Sequence, residues 1–405
     1  MDKNSKKNTP NIRFDGFDKE WERKKVGDFA ELKNGYSFDS KTYDAEGEFN
    51  VLTIANVQGS RNIVIDEKTN RIKQVPRDIQ PHQILKDGDI LVSMTGNVGR
   101  VSLNSGDKNL LNQRVGLLQM YNGGADFLYT SISTPRFENK MIESGQGAAQ
   151  KNISKSDIEN FEIMNTSLEE QKKIAEFFKQ LDKLIELNEK KVEKLELLKK
   201  ALLGKMFPVG GATTPKIRFN GFSDEWFAQI LENCAEYNTK IGTDCACKFV
   251  STDNMMKNCT GIVFSENNDT KSGIVYKPND ILISNIRPYL KKSYLMEQQG
   301  ICSTDVLCVR PNGDTNPNFL YLLLSSDLFF SYVMESTKGT KMPRGDKQHI
   351  MRFPFMISTS KEEQKRLACC IKNIDTTSKM LKCKIEKFRN LKISFLNKMI
   401  PHTQQ

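Results

Sequence analysis

Arginine, asparagine and glutamine gather with glycine in a few short stretches of this chain, and that mixture suits contact with flat polar edges. In residues 95–100, Thr95, Asn97 and Arg100 are interleaved with Gly96 and Gly99. Asn112, Gln113 and Arg114 follow, and residues 145–152 add Gln146, Gln150 and Lys151. Further along, Asn285, Arg287, Tyr289, Lys291 and Lys292 lie within residues 285–292. Residues 338–347 hold Lys338, Lys341, Arg344 and Lys347 against the single acid Asp346. Arg, Asn and Gln make paired hydrogen bonds to guanine and adenine edges, lysine answers phosphate charge, and glycine lets a backbone approach closely. A charge run is more often a plain solvated face. These stretches stand out because they recur at one place in two copies of the same unit.

Bond-making chemistry has no comparable foothold. There is no G-x-x-x-x-G-K-[ST] loop for a nucleotide and no G-x-G-x-x-G opening a helix. Asn316-Pro317-Asn318-Phe319 lacks the second proline of an amino-methyltransferase loop, and no Glu-x-Lys follows Pro278-Asn279-Asp280 at a distance suited to a metal nuclease. With only His82, His349 and His402, a histidine site present in both copies is impossible, and exposed loop or tail positions are expected for all three. The nine cysteines all lie between Cys234 and Cys383. Cys245-Ala246-Cys247 and Cys369-Cys370 lack a second pair or nearby histidines at zinc-site spacing and are read as small buried apolar residues. The expectation is a binder with no catalytic residue, no metal and no cofactor of its own.

The elements that position these loops are written twice. Thr9-Pro10-Asn11-Ile12-Arg13-Phe14-Asp15-Gly16-Phe17 returns as Thr214-Pro215-Lys216-Ile217-Arg218-Phe219-Asn220-Gly221-Phe222, each followed by Glu-Trp (Glu20-Trp21 and Glu225-Trp226). Gly88-Asp89-Ile90-Leu91-Val92-Ser93 returns as Asn279-Asp280-Ile281-Leu282-Ile283-Ser284. These runs read as buried strands, and Val115–Gln119 and Asp305–Val309 as a second matching pair. Ser167…Glu169-Glu170-Gln171-Lys172 returns as Ser360…Glu362-Glu363-Gln364-Lys365, and both fit a capping box opening a helix. From there apolar residues keep heptad spacing: Ile174, Phe178, Leu181, Ile185, Val192, Leu195 and Leu202 in one copy. Leu367, Ile371, Ile374, Leu381, Ile385, Phe388 and Phe395 keep it in the other. Such a seam needs a mate. The expectation is an α+β chain with an internal pseudo-twofold repeat. Two related mixed α/β, strand-biased domains (1–165 and 209–358) would be joined by two long helices (166–208 and 359–405) forming an antiparallel coiled coil. Asn188 and Ser378, polar at seam positions, would fix register.

The net charge is +10. Lys and Arg outnumber Asp and Glu by 8 in residues 209–405 (27 against 19) and by 2 in residues 1–208 (33 against 31). A basic surface suits a polyanionic partner, because neutralised phosphates release counterions. The cysteine-free first copy argues against a secreted disulfide framework, and no run approaches the roughly 18 apolar residues of a membrane span. A cytoplasmic protein with no membrane partner is expected.

The paired Ile-Arg-Phe-x-Gly-Phe…Glu-Trp openings, the Gly-Asp-Ile-Leu strand and its mate, the Glu-Glu-Gln-Lys helix starts, and the ends Lys205-Met206-Phe207-Pro208 and Lys398-Met399-Ile400-Pro401 carry a resemblance. In this order the chain resembles the specificity subunits of type I restriction–modification systems over essentially its whole length. The resemblance implies two target recognition domains, each reading half of a bipartite, asymmetric site in double-stranded DNA. It also implies paired helices that dock two methyltransferase subunits, with two restriction subunits that translocate DNA in the full complex. S-adenosylmethionine, ATP and Mg2+ would then belong to those partners. Two other readings share the basic charge or the helices: a two-headed DNA-binding regulator, and a protein-only scaffold.

Overall fold

The computed structural model describes residues 9–121, 123–146, 151–208, 211–244, 248–264, 271–313, 315–339 and 342–401. Gln150, Lys341, Cys245, Cys247 and His402, singled out above, lie outside the described residues. The chain forms two compact units, Met1–Lys190 with Leu381–Gln405, and Lys191–Met380.

In the first unit, Ile90–Ser93 and Val115–Met120 are the central strands of a four-stranded antiparallel sheet in the order Ala30–Asn34, Val115–Met120, Ile90–Ser93, Val101–Leu103. Their near-continuous apolar sequence reflects cover on both faces. Alternate residues serve opposite sides: Ile90 and Val92 pack with Leu128, Ile132 and Phe137 of two helices, while Leu91 packs with Leu52, Leu85 and Leu111. Those last residues belong to or flank a second sheet, ordered Arg71–Ile72, Phe49–Leu52, Asn109–Leu111, whose last two strands run parallel. A two-stranded ribbon, Glu22–Lys25 with Glu162–Asn165, joins the start of this region to the residues just before the long helix.

The second unit repeats the plan. Its central strands Ile281–Ser284 and Val306–Pro311 lie in the order Ala235–Tyr237, Val306–Pro311, Ile281–Ser284, Ser293–Leu295. Ile281 and Ile283 join the helix-covered core and Leu282 the opposite one. The ribbon is Phe227–Ile230 with Pro354–Ile357. The second sheet differs, with four strands ordered Ile241–Asp244, Lys271–Tyr276, Gly300–Cys302, Lys248–Val250. The copies thus diverge in structure where they diverge in sequence.

Helices Leu168–Met206 and Lys361–Met399 have 39 residues each, about 58 Å at 1.5 Å per residue. In the first unit their segments 168–190 and 381–399 run antiparallel. Phe177 meets Phe395 at 5.2 Å between ring centroids, Asp182 accepts from Lys392 at 2.6 Å, and Glu189 accepts from Arg389 at 2.7 Å. In the second unit Lys199 pairs with Asp375 at 2.6 Å, and Met206 shares a core with Leu367 and Ile371. The heptad residues Ile174, Phe178, Leu181, Ile185, Val192, Leu367, Ile371 and Ile385 are buried, and Leu195, Leu202, Ile374, Leu381, Phe388 and Phe395 are half-buried. Asn188 is buried as a seam residue should be, but its amide donates to Leu184 of its own helix at 2.6 Å. Leu181→Asp strands a carboxylate in this seam. A loss on the order of 3 kcal/mol in unfolding free energy is expected, with a smaller loss for Ile374→Asp at its half-buried position. Denaturant titration of the full chain measures both.

The helix starts depart from the capping box. Ser167 and Ser360 accept the backbone N–H of Glu170 and Glu363 as expected, at 3.4 and 3.3 Å. The glutamates do not reach back to the cap. Arg13 grips Glu170 with two bonds of 2.7 and 2.8 Å, and Arg218 grips Glu363 at 2.6 and 2.9 Å. Both carboxylates are only 1% exposed, and these bonds raise the pKa of Arg13 and Arg218. The Ile-Arg-Phe openings and the Glu-Glu-Gln helix starts are therefore two halves of one clamp.

Two smaller expectations change. Of the Cys369-Cys370 pair expected to be buried, Cys369 is exposed and Cys370 half-buried, whereas Cys234, Cys302 and Cys308 are buried. His349 is not a bare surface residue: it stacks on Tyr332 at 4.1 Å, and its Nε2 lies 3.1 Å from the Tyr332 carbonyl oxygen.

Candidate nucleic-acid interface

The register of the central strands brings the candidate loops together. Ser93 is opposite Val115, so the segment leaving Ser93 and the segment entering Val115 emerge at one end of the sheet. Ser284 opposite Val306 does the same in the second unit. Met94 N–H donates to the Arg114 carbonyl at 3.0 Å, and Asn285 N–H donates to the Asp305 carbonyl at 3.0 Å. A third segment is stitched onto the first. Gly96 donates to Lys151 at 2.8 Å and Ile153 to Met94 at 3.0 Å, while Gln146 and Asn152 exchange bonds of 3.0 and 2.9 Å. In the second unit Arg287 donates to Pro343 at 2.8 Å, Gly345 donates to Asn285 at 3.2 Å, and Lys338 and Arg344 exchange two bonds of 3.0 Å.

Five backbone hydrogen bonds thus match one for one. They align Thr95 with Ile286, Gly96 with Arg287, Arg114 with Asp305, Gln146 with Lys338, Lys151 with Pro343 and Asn152 with Arg344. The backbone platform is common to both units, and the side chains upon it are exchanged almost completely. Residue 287 therefore does have a counterpart, Gly96, although sequence comparison shows none. Gly96 takes φ +74° at no steric cost, while Arg287 takes φ +51°, a left-handed conformation that strains a side-chain-bearing residue by about 1–2 kcal/mol. A strained residue in a conserved frame is a pointer to function.

Exposure sorts the named residues. Asn97, Gln113, Arg114, Gln146, Arg287, Tyr289, Lys338, Arg344 and Lys347 are exposed, and Thr95 and Arg100 are half-exposed. Arg100 Nε lies 3.5 Å from Glu138. Asp346, which turns the chain into the 347–351 helix, is held below the usual carboxylate range by the His349 N–H and by Lys338.

Four side chains serve the frame instead of the surface. Asn112 is 6% exposed and its carbonyl oxygen accepts the Arg114 N–H at 3.1 Å, so it shapes the loop. Lys151 donates to the Ile142 carbonyl at 2.7 Å. Lys291 pairs with Asp327. Lys292 donates to the Thr252 carbonyl at 2.6 Å, and burial pushes its pKa down. Asn285 is half-buried, its backbone joined to both neighbouring segments. Asn152, inside the candidate stretch 145–152 but not singled out there, and Asp305, outside the candidate stretches, stand in the middle of the platform. For Asp305 the signal is its backbone bond to Asn285 and not its residue type.

The family model for the type I restriction modification DNA specificity domain matches residues 18–197 and 228–389, most of both units. The chain belongs to that family. As a member it is a DNA-recognition component and not the catalyst. It is 24% identical over 347 residues to the type I restriction enzyme MjaVIII specificity subunit of Methanocaldococcus jannaschii, covering 78% of this chain and 79% of that one. It is 33% identical over 128 residues to the putative MjaX specificity subunit of the same organism, covering 31% of this chain and 29% of the other. The fold is similar to the crystal structure of a type I restriction–modification S subunit from M. genitalium. That match has a TM-score of 0.66 and 16% identity, covering 98% of this chain and 100% of that one. Among the described residues of this specificity chain, no group of His, Cys, Asp and Glu could hold a metal ion, and no helix is long and apolar enough to cross a membrane.

Proposed function

We propose that this chain reads a bipartite, asymmetric site in double-stranded DNA, one half per unit. It would direct two adenine methyltransferase subunits and, in the full assembly, two translocating restriction subunits to that site. One observation supports the reading above all: the same five-bond backbone platform occurs in both units with different side chains on it. A shared frame with exchanged Arg, Asn, Gln and Lys is what two readers of unlike half-sites require, since base edges are told apart by donor and acceptor pattern. A homodimer of identical readers would instead suit a palindrome. The helices offer a place for partner subunits, since Leu184, Leu187, Leu391 and Ile393 in the first unit are exposed outside the seam. On this reading S-adenosylmethionine, ATP and Mg2+ are used by the partner subunits, and the work is done in the cytoplasm.

Purified chain incubated with S-adenosylmethionine and DNA is expected to transfer no methyl group. Added methyltransferase subunits should then modify one sequence in two separated halves, mapped by sequencing of the modified bases. Methyl transfer by the chain alone, or modification without any sequence preference after addition, would overturn the reading.

A further inference from the structure

We infer that Arg344, held by Asp305, is a base-reading side chain of the second unit and that it selects a guanine. This inference rests on the DNA-recognition reading above and deepens it. Arg344 sits at the centre of the platform, bonded through its backbone to Lys338 and placed opposite Ile286. Its Nη2 lies 3.1 Å from Asp305 Oδ1, and the two side chains are 58% and 41% exposed. An ion pair that open adds about 0–1 kcal/mol to stability, so stability does not explain its presence. Nor does affinity, because an acid at a phosphate-binding surface repels the ligand. What the pair does accomplish is orientation. A guanidinium has five N–H donors in a rigid fork. Nη2 carries two N–H groups, and anchoring one of them on Asp305 leaves the other side by side with an N–H of Nη1 at the end of the fork, a spacing that fits the O6 and N7 acceptors of guanine.

The neighbouring positions strengthen the assignment. Arg287, in its strained left-handed conformation, donates its N–H to Pro343, the residue before Arg344, so two guanidinium-bearing residues flank one backbone hydrogen bond. Lys338 lies on the other side, 3.3 Å from Asp346. In the first unit the same positions carry Asn152 for Arg344, Arg114 for Asp305 and Gly96 for Arg287. The acid becomes a base and the arginine becomes an amide. An Asp-anchored arginine is absent from that place, and the first unit is therefore not expected to select guanine through it. Asp305 is a positioning residue.

The test uses the full chain and a pool of randomised duplexes, with sequencing of the bound fraction, for the wild type, Arg344→Lys, Arg344→Ala and Asp305→Asn. Thermal unfolding of each variant establishes that it is folded. Arg344→Lys keeps the charge and loses the fork. Preference for guanine at one position of one half-site is expected to fall by about 5- to 150-fold, with the other half-site and the salt dependence unchanged. Asp305→Asn is expected to relax the same position while total affinity holds or rises. Two results would overturn the inference: Arg344→Lys retaining the guanine preference, or Arg344→Ala weakening all duplexes evenly and flattening the salt slope by about one. Either leaves the wild-type consensus intact and the recognition reading standing. A wild-type chain that enriches no sequence sinks both.

Discussion

Exchange of residues 20–165 for the matching segment of a related specificity chain is expected to change one half of the recognised DNA site and leave the other half unchanged. The expectation follows from where the variable residues lie. All the platform residues of the first unit, from Thr95 to Asn152, fall inside that segment, and all those of the second, from Asn285 to Arg344, fall outside it. Each platform is closed by backbone hydrogen bonds among its own loops and rests on its own four-stranded sheet. The spacer should also persist, because neither long helix is touched. The effect is close to all-or-none at the exchanged half, since several mismatched positions at about 1–3 kcal/mol each compound to many orders of magnitude. Modified-base mapping of the chimera with its methyltransferase partner checks it. If both halves change together, the units do not read independently.

Glu363→Ala is expected to lower the unfolding free energy by roughly 3–5 kcal/mol, because it leaves a charged partner stranded in a site that excludes water. Glu363 Oε1 and Oε2 together accept two bonds from Arg218, one from Trp226 Nε1 at 3.1 Å and one from Ser358. Glu170 accepts from Arg13 and Thr166, but Trp21 Nε1 makes no such bond. The second clamp therefore ties down one more group, and Glu170→Ala should cost less than Glu363→Ala. Replacing both members of a pair by methionine should recover much of the loss, since a buried ion pair exchanged for apolar side chains is often close to neutral. Recovery should be poorer in the second unit, where Trp226 and Ser358 would still lack their acceptor. Guanidinium titration of the single and double variants separates these cases. Equal losses at both glutamates would remove the distinction between the clamps.

Strands and long helices were legible because each is set by a local period. Ile90-Leu91-Val92 and Ile281-Leu282-Ile283 alternate between two cores, and the heptads from Ile174 and Leu367 keep one face buried over many turns. Local reading failed where a side chain answers to a partner far along the chain. Ser167 and Glu170 have capping-box spacing, yet Glu170 is claimed by Arg13, 157 residues away. Lys292 and Lys151 are basic residues in candidate loops, but each is bonded to a carbonyl that composition cannot point to. The site was legible as a set of loops and not as a set of side chains. Loops follow from strand ends, which the repeat locates. Asn112, counted among the contacts, turned inward, while Asp305, an acid in a basic surface, was passed over.

The position of the two clamps bears on how such chains can change over generations. Arg13 and Glu170 bracket residues 20–165, and Arg218 and Glu363 bracket residues 225–357, with both members of each pair outside the bracketed stretch. A cassette between the brackets can be replaced wholesale by recombination while the lock that seats it stays in the recipient, provided the newcomer begins with Glu-Trp. A crossover that also replaces the opening but stops short of the helix start joins an arginine and a glutamate from different parents. That hybrid survives only if both parents kept the pair. The clamp thus marks natural seams for shuffling DNA specificity, and the invariance it demands is confined to a few residues at each edge.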